Sequence, residues 1–152
     1  FYDISKCAYG FKDRSGKTII DARFTKVRSF IKEGICQVLV NEQWGLINKK
    51  GDFITQPTID DIWDFHPKYY VSPARSNGLW GFINKKGKWS VSPQYQSIAY
   101  AQKGYFTKPP FLFIVEKNEL RGIVSSKGKE IIKNESNRRD NLNKIDEKEE
   151  RK

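Results

Sequence analysis

Three acids and the only histidine of the chain crowd into residues 58–66, where their types would suit chemistry. Asp60, Asp61, Asp64 and His66 could act as a general acid and base, or bind a cation. In an extended segment, however, successive side chains alternate between faces, so Asp61 and Asp64 would point apart. Short acids beside prolines are also ordinary turn residues. We therefore interpret the segment as a connecting loop and predict no catalytic residue.

The two cysteines, Cys7 and Cys36, are the other candidates for reactive or metal-binding chemistry. No Gly-x-Ser-x-Gly turn accompanies them, and one histidine is too few for a structural zinc site. The pattern favours two small buried hydrophobic residues, while a disulfide between them in an oxidising compartment stays open. We predict no metal and no cofactor.

Positive charge is the stronger chemical signal. The chain has 28 Lys and Arg against 18 Asp and Glu, a formal net charge of +10. Several lysines recur beside glycines in similar segments, and stacking those segments in register would gather them into a basic ridge. Such a ridge would bind nucleic acid, lipid headgroups or an acidic glycan through summed electrostatics. Alternatively, the lysines are solvated and keep sheet edges from pairing. The candidate ridge residues are Lys49, Lys50, Lys85, Lys86 and Lys127.

Aromatic residues indicate a second candidate surface. Trp63 and Trp89 lie at irregular positions, and if exposed they would contact a protein partner or stack on a sugar. In contrast, Tyr9, Trp44 and Trp80 each directly precede a regularly spaced glycine. We predict that these three pack into the core between repeats.

The elements that must position these residues are repeats marked by pairs of glycines. The first glycines are separated by 35, 36 and 41 residues, and in every copy the second glycine follows six residues later. A fixed period of this size indicates a repeat architecture in which each unit is one supersecondary motif. The first glycines are Gly10, Gly45, Gly81 and Gly122, and the second are Gly16, Gly51, Gly87 and Gly128.

Each copy reads as a β-hairpin. A short polar residue stands three positions before the second glycine, as at Asn48 and Asn84, where its side chain can bond the backbone of a turn. The glycine supplies the positive φ that the turn requires, and short apolar runs flank it as strands. We expect Pro57 and Pro93 to end the strand after the hairpin, and a further strand to lead into the next copy.

The Trp-Gly pairs, the Ile-Asn-Lys-Lys-Gly segments and the Pro-x-Tyr element resemble the WG-repeat family of bacterial tandem-repeat proteins. The resemblance runs from about Tyr9 to Ile132, and the two central copies match closely. It departs at the ends, where Tyr9 and Arg121 stand in the place of tryptophan. The resemblance implies a repetitive β domain that mediates interactions, often joined to other modules or exported, and it supplies no catalytic residues.

We therefore predict an all-β domain over residues 1–133, followed by a charged tail or linker over 134–152. Tandem repeats of about 36 residues, each a hairpin plus a further strand, would stack as a short solenoid or roll into a propeller-like or barrel-like body. The outer two repeats would act as caps. The repeats are placed at about 9–30, 44–65, 80–101 and 121–133.

We predict a non-enzymatic interaction or scaffolding module that binds a protein partner. The alternative is an electrostatic binder of an anionic polymer or surface. No apolar run approaches the roughly 18 residues of a membrane span. The chain starts at Phe1 and contains no methionine, so we expect a fragment or a processed form, with an exported or cell-envelope context open.

Overall fold

A computed structural model describes residues 1–66, 71–101, 112–125 and 127–135, and these residues form strands and turns without a helix. The strands make four separate antiparallel sheets, none of which closes on itself. In chain order the sheets are β1 (Tyr2–Asp3), β2 (Ala8–Lys12) and β3 (Thr18–Phe24); β4 (Lys26–Val27), β5 (Cys36–Val40), β6 (Gln43–Ile47) and β7 (Phe53–Ile59); β8 (Asp61–Ile62), β9 (Val71–Ser76), β10 (Leu79–Asn84) and β11 (Trp89–Tyr95); and β12 (Ser97–Tyr100), β13 (Leu112–Lys117), β14 (Leu120–Ser125) and β15 (Glu130–Glu135).

The predicted all-β repeat fold is confirmed, with one sheet for each repeat. The second, third and fourth sheets also contain a short first strand that the prediction of a hairpin plus one strand did not include. A single residue, Thr25, Asp60 or Gln96, joins each sheet to this strand of the next. The last strand, β15, extends two residues past the predicted domain boundary, and residues 136–152 lie outside the described residues.

The hairpin turns form as their side chains predict. The side-chain oxygen of Asn48 accepts hydrogen bonds from the backbone N–H groups of Lys50 at 2.9 Å and Asp52 at 3.0 Å. Asn84 accepts the equivalent pair in the next repeat. Gly51 has a φ of 91°, in the left-handed region that glycine enters without steric cost.

The first glycines Gly10, Gly45 and Gly81 are needed because the next strand crosses each of them closely. A Cβ on Gly45 would lie 3.0 Å from the carbonyl oxygen of Thr55 and 3.2 Å from the nitrogen of Pro57. A Cβ on Gly10 would lie 2.5 Å from the carbonyl oxygen of Ile20. Only a residue without a side chain fits beneath this backbone.

A β-bulge produces this close crossing. Trp80 pairs with Tyr95 and Phe82 pairs with Val91, so β11 contains two more residues than β10 over the same span. Pro93 lies inside the bulge, within the strand. The prediction that the prolines end their strands is therefore wrong, because a bulge leaves ladder positions unpaired and tolerates a residue with no N–H.

The core lies between successive sheets and comprises three clusters. Along β6, Leu46 faces the third sheet and contacts the cluster of Ile59 and Ile83, whereas Ile47 faces the first sheet and contacts the cluster of Phe24. This alternation follows from the two-residue period of a strand and stacks the sheets face to face. The third and fourth sheets pack through a further cluster: Val71, Phe82, Tyr95, Phe113, Val115 and Val124.

The aromatic residues before the first glycines differ between the inner and outer repeats. Trp44 and Trp80 are half-buried against the clusters between sheets, as predicted. Tyr9 is 37% exposed and contacts Tyr2 instead, so its predicted core position is wrong, since no earlier sheet edge covers it. Two residues after Gly10, Lys12 occupies the place that buried Ile47 has in the second sheet. A charged residue at this position suits the outer face of a cap, but the first sheet also leaves Tyr2, Tyr9 and Ile19 exposed.

Candidate interaction surface

The glycine turns lie at one end of the four sheets, which we call the turn end. The antiparallel order places the turns after β2, β6, β10 and β14 at the same end as the last residues of β4, β8 and β12. The opposite end has tight two-residue turns in which both residues have positive φ: Asn41-Glu42, Asn77-Gly78 and Asn118-Glu119.

Contacts between successive repeats hold the glycine turns in register. The turn of the second repeat packs on the first sheet, where Arg23 donates a hydrogen bond to the carbonyl oxygen of Gly51 at 2.5 Å. In the next step, the Thr55 hydroxyl donates to the carbonyl oxygen of Gly87 at 2.5 Å. A Cβ on Gly128 would lie 3.2 Å from the Cβ of Ser90 in the third sheet. Each turn therefore lies on the last strand of the repeat before it.

This register creates an open groove of about 850 Å³ at the turn end. Buried Ile35 and Val71 form part of its lining, together with partly exposed Ile54. Its polar lining comes from three successive glycine turns and from one long loop. These polar residues include Asn48, Asn84, Lys85, Lys86, Lys127 and Glu33.

The structure brings the five predicted ridge lysines to this end in two groups. Lys85, Lys86 and Lys127 line the groove, while Lys49 and Lys50 line an adjoining depression of about 380 Å³. The two hollows share the loop residues Glu33 and Gly34, and the turn residue Asn48.

Charge at the turn end is positive but partly compensated. Lys85 pairs with Glu33 at 3.6 Å, and its side chain is only 18% exposed. Lys49, Lys50 and Lys86 are exposed, which leaves their charge available to a ligand. The tight turns of the opposite end instead contain the acids Glu42 and Glu119.

Of the candidate residues in 58–66, only Asp60 lies apart from the others. The prediction that Asp61 and Asp64 point apart is wrong, because the regular strand ends at Ile62 and both side chains line one cavity. Asp60 lies at the opposite end, where its carboxylate accepts a hydrogen bond from the backbone N–H of Gly78 at 3.1 Å. Asp64 is 82% exposed and pairs with Arg28 at 2.8 Å. Asp61, Asp64 and His66 all line a cavity of about 510 Å³ near the turn end. Among the described residues, no three His, Cys, Asp or Glu side chains are placed to share a metal ion.

The two tryptophans proposed for partner binding are half-buried. Trp63 contacts Trp80 and Tyr100, with ring centroids 6.0 Å and 4.8 Å away. Trp89 packs against the cluster that contains Leu46. Their predicted role in partner binding stays a prediction, and replacing either one removes core contacts as well.

The cysteines lie apart and are both free thiols. Cys36 is buried as predicted, and burial raises the pKa of its thiol from the ordinary 9.0 to about 11. Cys7 is exposed in the turn between β1 and β2, so the prediction of two buried cysteines is wrong for it. The reason is its position in an outer turn, where no second sheet covers the side chain.

One residue of this surface, Arg28, was missed in the sequence. Arg28 lies against the ring of Trp44, with its guanidinium carbon 4.6 Å from the ring centroid, and it also lines the 510 Å³ cavity. Tyr100 reaches the same cavity from the fourth sheet, and like Trp63 it is an irregularly placed aromatic residue that the sequence suggests for stacking or partner contact. Arg28 carries no local signal, because only the packing of sheets brings it to this cavity.

Comparison with known families decides the assignment. A family model described as WG containing repeat matches residues 9–44, 44–70 and 80–120, which together span most of the four sheets. The chain belongs to the WG containing repeat family. WG repeats are non-catalytic repeat domains that suit a role in interaction. Neither the curated proteins nor the solved structures include a match to this chain.

The second WG match begins at Trp44, the residue where the first ends. This tryptophan lies on β6, an inner strand of the second sheet, and Tyr9 lies on β2 of the first sheet. The first WG match therefore begins within one sheet and ends within the next, and it includes the contact between them. Within the described residues, no helix has the length and apolar character to cross a membrane.

Proposed function

We propose that the chain is a non-enzymatic interaction module that binds a protein partner at the turn end of its sheets. The observation that carries this proposal is the groove lined by residues from three successive glycine turns. A partner segment lying along it would contact several repeats at once. Small contributions from each repeat then add up, as in other repeat proteins that bind extended ligands.

The lining of the groove indicates what the partner segment needs. Ile54 offers an apolar side chain that is 39% exposed, with buried Ile35 and Val71 beside it, and exposed Lys86 and Lys127 also line the groove. A segment that places an apolar side chain between acidic residues would match both features. Such complementarity increases the association rate and the specificity more than the affinity itself.

A second candidate is an anionic polymer or surface as the ligand. Exposed Lys49, Lys50 and Lys86 at one end of a chain with a net charge of +10 favour it. Binding would then depend on the number of phosphate, sulfate or carboxylate groups contacted, and it would weaken steeply with salt.

Site-specific photo-crosslinking in the source cell tests the first candidate. A photoreactive residue at Ser90, which lines the groove, is compared with one at Glu119, in a tight turn of the opposite end. We expect a discrete protein adduct from position 90 and none from position 119. Equal adducts from both positions, or none from position 90, would refute binding at the groove.

A charge variant separates the two candidates. Replacing Lys49, Lys50, Lys85 and Lys86 with glutamine removes four of the five candidate lysines at the turn end, and arginine at the same positions is the matched control. If the ligand is a polymer, a labelled heparin fragment binds the wild type and the arginine variant at low salt. The fragment should not bind the glutamine variant. Its affinity for the other two proteins should be lost by about 0.2 M salt, where the Debye length is only about 7 Å. If heparin binds none of them at low salt, the polymer candidate is wrong.

A further inference from the structure

The cavity lined by Asp61 and His66 lies where three sheets meet, and we call it the junction pocket. It has a volume of about 510 Å³, within the range of small-molecule sites. Arg28 reaches it from the loop after β4, Tyr100 from the end of β12, and the remainder from β8 and the segment that follows. The residues that carry the argument are Arg28, Asp61, Trp63, Asp64, His66 and Tyr100.

Buried hydrogen bonds hold the wall of the junction pocket in place. The carbonyl oxygen of Trp63 accepts hydrogen bonds from the side chains of Gln37 at 2.9 Å and Ser72 at 2.6 Å, and both donors are buried. The backbone N–H of Trp63 donates to the carbonyl oxygen of Pro73 at 3.0 Å. A site fixed in this way loses little conformational entropy when a ligand binds.

Arg28 is also held before any ligand arrives. Its guanidinium lies over the ring of Trp44, and Nη1 donates to the Gln37 side chain at 2.6 Å and to the carbonyl oxygen of Ile62 at 3.1 Å. The same nitrogen pairs with Asp64 at 2.8 Å. The guanidinium has five N–H donors in a planar fork, so donors beyond this nitrogen can serve a ligand.

The pocket combines an aromatic wall with charged hydrogen-bonding groups. The rings of Trp63 and Tyr100 lie 4.8 Å apart at an angle of 44°, and Tyr100 is 42% exposed. The Asp61 and Asp64 carboxylates are acceptors, and the Arg28 guanidinium is a donor. A pyranose ring needs this combination, because its C–H face is apolar and its hydroxyl groups both donate and accept.

We propose that the junction pocket binds a sugar, as one hexopyranose unit of a neutral glycan. Two carboxylates at the pocket disfavour a phosphate or an acidic sugar, which distinguishes this site from the lysine-lined groove. The aromatic wall disfavours a hydrated metal ion. The site is separate from the groove, so a protein partner and a glycan would not compete for the same residues.

Titration by NMR tests the sugar site on the whole chain. The probes are the methyl glycosides of glucose, galactose and mannose, together with N-acetylglucosamine, because single sugar units bind with dissociation constants of about 1 mM or weaker. The four tryptophan indole N–H signals report position. We expect at least one sugar to shift the Trp63 signal in a saturable way and to leave the Trp89 signal unchanged.

Matched variants separate stacking from a change of fold. Tyr100→Ala should abolish the shift, Tyr100→Phe should retain it, and Asp64→Asn should weaken it several-fold. Tyr2→Ala, which removes an exposed tyrosine of the first sheet, should bind like the wild type, and so should the four-lysine glutamine variant. Native dispersion of the amide signals confirms that each variant folds.

Two results would overturn the sugar site. The first is that none of the four sugars shifts the Trp63 signal. The second is that folded Tyr100→Ala binds as well as the wild type. Because the four-lysine variant is expected to keep sugar binding, failure of the groove proposal would leave this result unaffected.

Discussion

Replacing Gly81 with alanine should destabilise the repeat array more than the same substitution in the glycine turn at Gly16. The new Cβ would lie 2.8 Å from the nitrogen of Pro93 and 2.9 Å from the carbonyl carbon of Ser92, and closer still to the carbonyl oxygen of Val91. These are backbone atoms, so the bulged strand must move as a whole. Overpacking of this kind costs about 3 kcal/mol. For a domain of this size, the loss corresponds to a melting temperature lower by about 6–12 °C.

Gly16→Ala is the matched control, since a Cβ there meets nothing within 4 Å and only its φ of 88° is unfavourable. That strain costs about 1–2 kcal/mol. Gly45→Ala should fall between the two, because its closest backbone contact would be 3.0 Å. Thermal unfolding followed by circular dichroism measures all three variants. If Gly81→Ala melts no lower than Gly16→Ala, the close-crossing explanation of the Trp-Gly pair is wrong.

Four further predictions concern the thiols, the turns and the groove charge. Alkylation followed by mass spectrometry should modify exposed Cys7 in the native protein and buried Cys36 only after unfolding. Burial raises the pKa of the folded Cys36 thiol from 9.0 to about 11, so between these pH values the thiol ionises in the unfolded state only. The free energy of unfolding measured in urea should therefore fall as the pH rises from about 9 to about 11, and it should be unaffected below pH 9. Asn84→Ala removes the acceptor of two backbone N–H groups and should lower the free energy of unfolding by about 1–2 kcal/mol. Asn84→Asp keeps an acceptor oxygen and should retain most of the wild-type stability. Glu33→Gln removes the carboxylate beside the groove lysines and should delay elution from heparin, whereas Glu42→Gln at the opposite end should not.

The repeat fold was predictable because its rules are local. A polar residue three positions before a glycine specifies a turn, and the structure has that turn with Asn48 accepting two backbone N–H groups. The period then places one such hairpin in every repeat. Even the tight turn at Asn77-Gly78 had a local signal, since two residues with positive φ favour this pair.

Features that depend on neighbouring sheets were not predictable in this way. Tyr9 and Cys7 are exposed because they belong to the outer sheet, although their local surroundings resemble those of buried residues. Pro93 lies in a bulge whose extra residues appear only in the pairing of two strands. The groove and the junction pocket need the relative placement of three sheets, and Arg28 has no periodic counterpart that would have marked it.

The most direct test of the interaction role is amide hydrogen exchange of the chain, alone and with the protein identified by crosslinking from position 90. Binding across the groove predicts slower exchange of the backbone amides in the turns at residues 48–52, 84–88 and 127–129 together. The tight turns of the opposite end should keep their rates. Protection confined to the opposite end, or to a single repeat, would contradict an interface formed by successive glycine turns.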